Sequence, residues 1–229
     1  EAPDHGMAAL GLGQCLQFQG RPGEALPWFE KTIEKLEAMP GSAPPVLGMA
    51  YFGAAAARLA MGSPGEALSD SQAAARIWRK AGAPVLQQAQ AHGQAAAILE
   101  QLGLTAQALQ QQDSVATLLQ DASPAHPGLW KVYFDQARLY LQQGDLEKAR
   151  RQGQRALEHS QAHIPNNDFE VDILFLMGRS SRYLGDTTGY RTAYAQALGR
   201  LEEMEARSAG NANILYRLGV SAYHLRQDE

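Results

Sequence analysis

Few residues in this 229-residue sequence are spaced for chemistry. His159 and His163 stand four apart near the end of a helical pattern and could share a metal ion, because residues i and i+4 lie on one helix face. No acidic or Cys ligand is placed to complete that site. Two surface histidines ahead of the Pro165 break are therefore the expected reading, and no metal or other cofactor is expected. Glu202, Glu203 and Glu205 have the spacing of a solvated helix face, not of a catalytic carboxylate pair. Gly11-x-Gly13 lacks the strand-turn-helix context of a phosphate-binding loop. Cys15 is the only cysteine, so no intrachain disulfide can form, and its apolar neighbours predict a buried, unreactive thiol. No Ser/His/Asp or Cys/His order stands out, and the chain is not expected to be an enzyme.

The elements that carry these residues recur. Residues 138–157, RLYLQQGDLEKARRQGQRAL, read as helix, tight turn at Gly144-Asp145, helix. The turn glycine has counterparts at Gly20, Gly62, Gly103 and Gly185, at intervals of 42, 41, 41 and 41 residues, too regular for scattered loops. Apolar residues make up 45% of the chain and aromatics 7%, with Ala runs at 54–57 and 95–97 where helices must pack closely. Alanine is the best helix former and β-branched residues are few, so the expectation is all-α. A net charge of −4 with 19% charged residues gives no basic field for nucleic acid. The longest apolar run, residues 46–57, is stopped by Arg58, short of the roughly 20 residues a membrane-spanning helix needs. No signal peptide is recognisable, so neither nucleic acid nor membrane is an expected partner, and a reducing, cytoplasmic setting is expected. A start at Glu1 without Met suggests a processed product or an excerpt of something longer.

The pattern predicts one domain over residues 1–229, with repeats at about 5–40, 46–80, 85–120, 129–162 and 168–207 and a terminal helix at 211–227. Pro22 follows the Gly20 turn in the next helix's first turn, where proline is tolerated. Ser63, followed by Pro64 and Glu66, predicts a capping box, and Asp145 predicts an N-cap. Pro- and Gly-rich breaks fall at 39–45, 81–84 and 121–128. The Gln-rich stretch 107–112 is not low-complexity disorder, because Leu109, Val115, Leu118 and Leu119 continue an apolar face through it. The terminal helix corresponds to half a repeat, as array ends often do.

These residues resemble the tetratricopeptide (TPR) repeat family. Repeat one supplies Gly13, Leu16, Gly20, Ala25 and Phe29, with Thr32 where Ala is usual; repeat two supplies Tyr51, Ala55, Gly62, Ala67 and Ala74. Repeat three supplies Ala96, Leu99, Gly103 and Ala108, and repeat four Tyr133, Ala137, Tyr140, Gly144, Ala149 and Ala156. Repeat five supplies Gly178, Gly185, Tyr194 and Ala197 but has Tyr190 where Ala is expected, which predicts looser packing there. The resemblance implies a right-handed α-solenoid of antiparallel helix pairs, about five repeats plus a terminal helix. Its long period is similar to that of bacterial regulators and kinesin-light-chain-type arrays, which bind peptides or protein segments. The Lys/Asn clamp of chaperone-binding TPR domains is not reproduced, since Leu10 and Gln14 occupy its expected start.

In that family the first helix of each pair lines a concave face. Stepping by 41 residues gives the columns Lys131, Asp172, Asn213; Phe134, Phe175, Tyr216; Asp135, Leu176, Arg217; Arg138, Arg179, Val220; and Leu141, Arg182, Tyr223. The candidate peptide-binding residues are accordingly Lys131, Phe134, Arg138, Phe175, Arg179, Arg182, Tyr216, Arg217 and Tyr223, a basic and aromatic wall. The earlier equivalents, Met7, Leu10, Gln14, Met49, Phe52, Ala56, Gln90, Gly93 and Ala97, are apolar or small, with Met49 and Phe52 as a secondary apolar groove. The implied partner is a protein or peptide with apolar anchors and acidic or carboxylate groups, since Arg pairs with carboxylates and stacks on rings. The implied role is a scaffold or sensory module of a larger bacterial regulatory protein. The alternative is a structural self-association module that forms homo-oligomers.

Overall fold

Alanine-rich segments with apolar positions three and four apart favour helix along almost the whole chain. The computed structural model describes residues 2–39, 44–164 and 167–226, with side chains from residue 6 onward. Among these residues are eleven α-helices and no strand: α1 (Ala2–Phe18), α2 (Pro22–Glu37), α3 (Pro44–Ala60), α4 (Pro64–Lys80), α5 (Val85–Gln101), α6 (Thr105–Ala122), α7 (Leu129–Gln143), α8 (Leu146–His163), α9 (Glu170–Leu184), α10 (Thr187–Arg207) and α11 (Ala212–Arg226). The expected helix pairs are all present, followed by the single α11. Most of the break expected at 39–45, the Pro165 break and the helix end expected at 227 lie outside the described residues.

The turns follow from glycine. All five turn glycines have φ between 72 and 81°, a left-handed conformation that costs a residue with Cβ. After α7, the Gly144 amide donates to the Leu141 carbonyl (3.2 Å) and the Asp145 amide to the Tyr140 carbonyl (3.0 Å), which satisfies carbonyls the helix leaves open. The Asp145 side chain then accepts from the Lys148 amide, as expected, and Asp186 does the same for Gly189 in the next repeat. Ser63 departs from expectation: α4 starts there with Pro64 in its first turn, but the Ser63 side chain makes no capping hydrogen bond. Its would-be box partner, Glu66, is drawn to Arg58 instead (3.1 Å).

The chain forms two compact units, Glu1–Ala122 and Ser123–Glu229. In unit 1, α2 lies between α1 and α3, and α4 between α3 and α5. The seam is built by aromatic side chains entering spaces that glycines leave open. Phe29 is fully buried against Gly13 and Gly53, where an added Cβ would come within 2.9 and 2.5 Å of its ring. Trp78 fills the space above Gly48 in the same way, and its Nε1 donates to the Pro45 carbonyl (3.1 Å). Burying such rings is worth several kcal/mol each, on the order of 3–5 by truncation to Ala.

In unit 2, α8 packs between α7 and α9, and α10 between α9 and α11. Tyr194 sits on Gly178 as Phe29 does on Gly13, with a Cβ-to-ring approach of 2.5 Å. Glu170, almost fully buried, accepts from the Arg200 guanidinium at 2.7 and 2.9 Å. Tyr190 does not loosen this repeat. It is buried, its hydroxyl donates to the His224 carbonyl (2.9 Å), and α11 takes up its bulk. Cys15 corrects the expectation from sequence in the other direction, since its thiol is exposed: no described helix covers that side of α1.

Candidate functional site

The first helices of unit 1 carry almost no charge. Apart from Asp4, Arg58 and Glu100 and the histidines at 5 and 92, α1, α3 and α5 are apolar, small or amide-bearing. Arg58 is turned away into a carboxylate cage, paired with Asp70 and, at 2.8 Å, with Glu30. Burial pushes the Asp70 carboxyl up from its ordinary range even though Arg58 pulls it down. Nearby, burial and then the Glu37 carboxylate push the Tyr51 phenol up to about 12.

With the charges removed to that side, a cavity of about 380 Å³ opens in unit 1. Met49, Phe52, Gly53 and Trp78 form its apolar lining, with the Phe52 and Trp78 ring centroids 5.6 Å apart. Gln14, Gln17, Gln87 and Gln90 supply the polar part, and Phe18, 93% exposed, completes the lining. The Gln87 Oε1 atom is buried and has no hydrogen-bond partner among the described residues. A buried amide oxygen without a partner is unusual in a folded chain.

Met49 and Phe52, the secondary apolar groove of the sequence reading, thus line a formed cavity. Gln14 and Gln90 were in the same columns. Trp78, Gln87 and Phe18 were not. Trp78 comes from a second helix, and the signal for it was Gly48, which leaves room for a large ring to reach the first-helix side.

The basic and aromatic residues of unit 2 are more dispersed than the columns imply. Arg217 donates to Asp172 (2.6 Å) while its guanidinium lies 5.3 Å from the Phe175 ring centroid, so α11 and α9 are joined at these positions. On α7, Lys131 donates to Asp135 (2.8 Å), with Arg138 3.7 Å from the same carboxylate and Phe134 half-buried beside them. Arg179 is exposed. Arg182 is exposed as well, but its guanidinium lies 6.0 Å from the Tyr190 ring, toward α10. Tyr216 and Tyr223 are exposed on α11, and Tyr223 sits edge-on to His224, 5.6 Å away. Burial, followed by the charge of Arg182, holds the His224 imidazole below its ordinary value.

A larger space in unit 2, about 560 Å³, lies on the second-helix side, lined by Arg150, Arg151, Gln154, Met177, Ser181 and Gln196 among others. His159 and His163 have ring centroids 4.4 Å apart, and His159 Nε2 is 2.8 Å from the His126 carbonyl oxygen. Among the described residues no three metal-ligating side chains come together, and no helix is long and apolar enough to cross a membrane.

Repeated helix pairs, glycine turns and second helices wedged between first helices define a TPR-like helical-repeat fold, and solved structures share it. The apo form of RapI superposes with a TM-score of 0.80 at 12% identity, over 95% of this chain and 63% of that one. BtubC from P. vanneervenii gives 0.74 at 18% identity, over 85% and 78%. A putative kinesin light chain with TPR-like repeats from Podosopora anserina gives 0.74 at 15% identity, over 90% and 99%. No family model and no curated protein matches the sequence.

Proposed function

We propose that this chain is a protein-binding repeat scaffold that holds a peptide segment of its partner by an apolar anchor side chain. The observation that carries the reading is the unit 1 cavity: about 380 Å³, floored by Met49, Phe52 and Trp78, and edged by four glutamines. Sites that take a ligand group are commonly apolar clefts of about this size with a few polar atoms to orient it. A bulky apolar side chain fills the floor, while the glutamine amides at the edge meet its main chain. The acidic or carboxylate groups expected of the partner would be met separately, on unit 2, where Arg179 is exposed and makes no ion pair among the described residues. Arg217 and Lys131 are less suited to that, being already paired with Asp172 and Asp135. A place in a larger bacterial regulatory protein, in the cytoplasm, belongs to the same reading.

Selection of a random peptide display library on the purified chain tests it. Two classes of selected peptide are expected, one with a bulky apolar residue and one with acidic residues. Met49→Glu should weaken the selected peptides at least about tenfold, the scale of losing one anchor contact, and Arg179→Glu should weaken only the acidic ones. Failure to enrich any sequence sinks the proposal. Self-association is the second reading, favoured by the exposed Leu215, Tyr216 and Tyr223 of α11. A mass in solution that rises with concentration, and returns to that of one chain in Tyr216→Glu, would support it.

A further inference from the structure

Helix α1 has the make-up of an interior helix, yet one of its flanks is bare. Residues 6–18 contain no charged side chain, and a helix that is apolar all round is normally buried all round. Instead Ala8, Leu12 and Cys15, spaced four and three and so on one face, are all exposed, with Leu12 at 42%. One repeat further on, the corresponding residues Ala50, Ala54 and Ala57 are fully buried, and α2 is the helix that packs before α3. Two repeats on, Ala91, Ala95 and Ile98 are buried likewise, with α4 in that place. Gly11 occupies the position that Gly53 holds in α3. An added Cβ at Gly53 would lie 2.5 Å from the Phe29 ring, whereas at Gly11 nothing lies within 4 Å.

We infer that this face of α1 is a docking surface for an amphipathic helix of the α2 kind, laid against α1 as α2 is laid against α3, with an aromatic side chain seated on Gly11. The occupant is read from the repeats themselves. At the position equivalent to Gly11, the α3 residue Gly53 receives the Phe29 ring from the preceding second helix; rings also fill the space over Gly13, Gly48 and Gly178, whereas Gly93 on α5 has nothing within 4 Å. Where Gln94 stands at the Gly53 position, the residue at the Phe29 position is Ser71, which bonds to the Ala91 carbonyl instead. The bare face has no charge to complement, so the stripe that meets it is apolar. Second helices of another copy do not fit: α2, α4, α8 and α10 are each held between two helices, and α6 has no aromatic residue. The bare, apolar α11 of a second copy is the competing occupant. The face differs from the cavity, and the inference stands whether or not a peptide binds there.

Cys15 reports on the docking, because its interior equivalents, Ala57 and Ile98, are fully buried. The probe is a synthetic peptide with the sequence of residues 21–38 and Pro27→Ala, which removes the proline inside that helix. Added to the chain at about ten times its Kd, it should slow modification of the Cys15 thiol by about tenfold, following simple mass action. The same peptide with Phe29→Ala should give no protection. Protein carrying Leu12→Glu or Ala8→Glu, both at exposed positions and expected to keep the far-ultraviolet dichroism of the wild type, should bind neither peptide. Absence of protection, or protection that survives Leu12→Glu or the loss of the peptide's Phe29, overturns the inference. Protection that appears on raising the protein concentration alone, with a doubled mass, overturns the choice of occupant and assigns the face to a second copy.

Discussion

The first helices of the two units are built on the same interval and solve different problems. In unit 1 they are nearly free of charge, the glycines at 13, 48 and 53 admit Phe29 and Trp78, and a glutamine-edged cavity results. In unit 2 they carry Lys131, Arg138, Asp135, Asp172 and Arg179, and cross-helix contacts such as Arg217 with Asp172 and Phe175 tie α9 to α11. Small residues on a first helix leave volume that either an aromatic ring or a ligand can fill. Long charged residues instead fill the surface with pairs of their own, worth little in stability when exposed.

The largest effects should come from the aromatic side chains. Phe29→Ala is expected to cost unit 1 about 3–5 kcal/mol, read as a lower melting temperature and as faster amide exchange in α1–α3 with α7–α11 still protected. Tyr194→Ala should reverse the pattern. If either variant loosens both units alike, the contrast between separately packed cores is broken. Gly53→Ala follows, because its Cβ would stand 2.5 Å from the Phe29 ring; overpacking of that kind costs roughly 1–3 kcal/mol, and combining it with Phe29→Ala should cancel much of the penalty.

Acid separates the units more gently. His224 is held below 6.5 in the folded chain, by burial first and by Arg182 second. Its contribution is therefore intact above 6.5 and is lost as the pH falls through that lower folded value. Exchange of α11 amides should rise in this range, and His224→Gln should remove the dependence. Asp70 in unit 1 runs the other way: its carboxyl is raised above 3.8 by burial, so its contribution is full below 3.8 and is lost as the pH rises through the raised value. The smallest effects belong to Lys131→Ala and Arg138→Ala, expected to shift stability by no more than about 0.5 kcal/mol each. A larger loss in a denaturation curve would mean that the α7 charges do more than cover a surface.

The helix pairs were legible because one glycine in a left-handed turn recurs at intervals of 41 or 42, a signal that survives changes in nearly every other residue. Met49 and Phe52 were legible because both lie on a first helix in a stepping column. Trp78 was not, since it reaches the cavity from a second helix through space that Gly48 vacates, a matter of packing between segments some 30 residues apart in the chain. The pairing of Arg217 with Asp172 was missed for a related reason. Columns group residues of like position, whereas a long arginine reaches across columns. Cys15 was read as buried because its neighbours are those of an interior helix, a reading true of every equivalent position but this one.

Trp78 also gives the molecule an optical handle. The chain has only three tryptophans, and this one has its indole N–H tied to the Pro45 carbonyl and its ring beside Phe52 in the lining of the unit 1 cavity. The ring is only 2% exposed, so its emission reports on the groups packed against it. Occupancy of the cavity can thus be followed as a change in intrinsic emission, without a label, in a protein with Trp28 and Trp130 replaced by Phe.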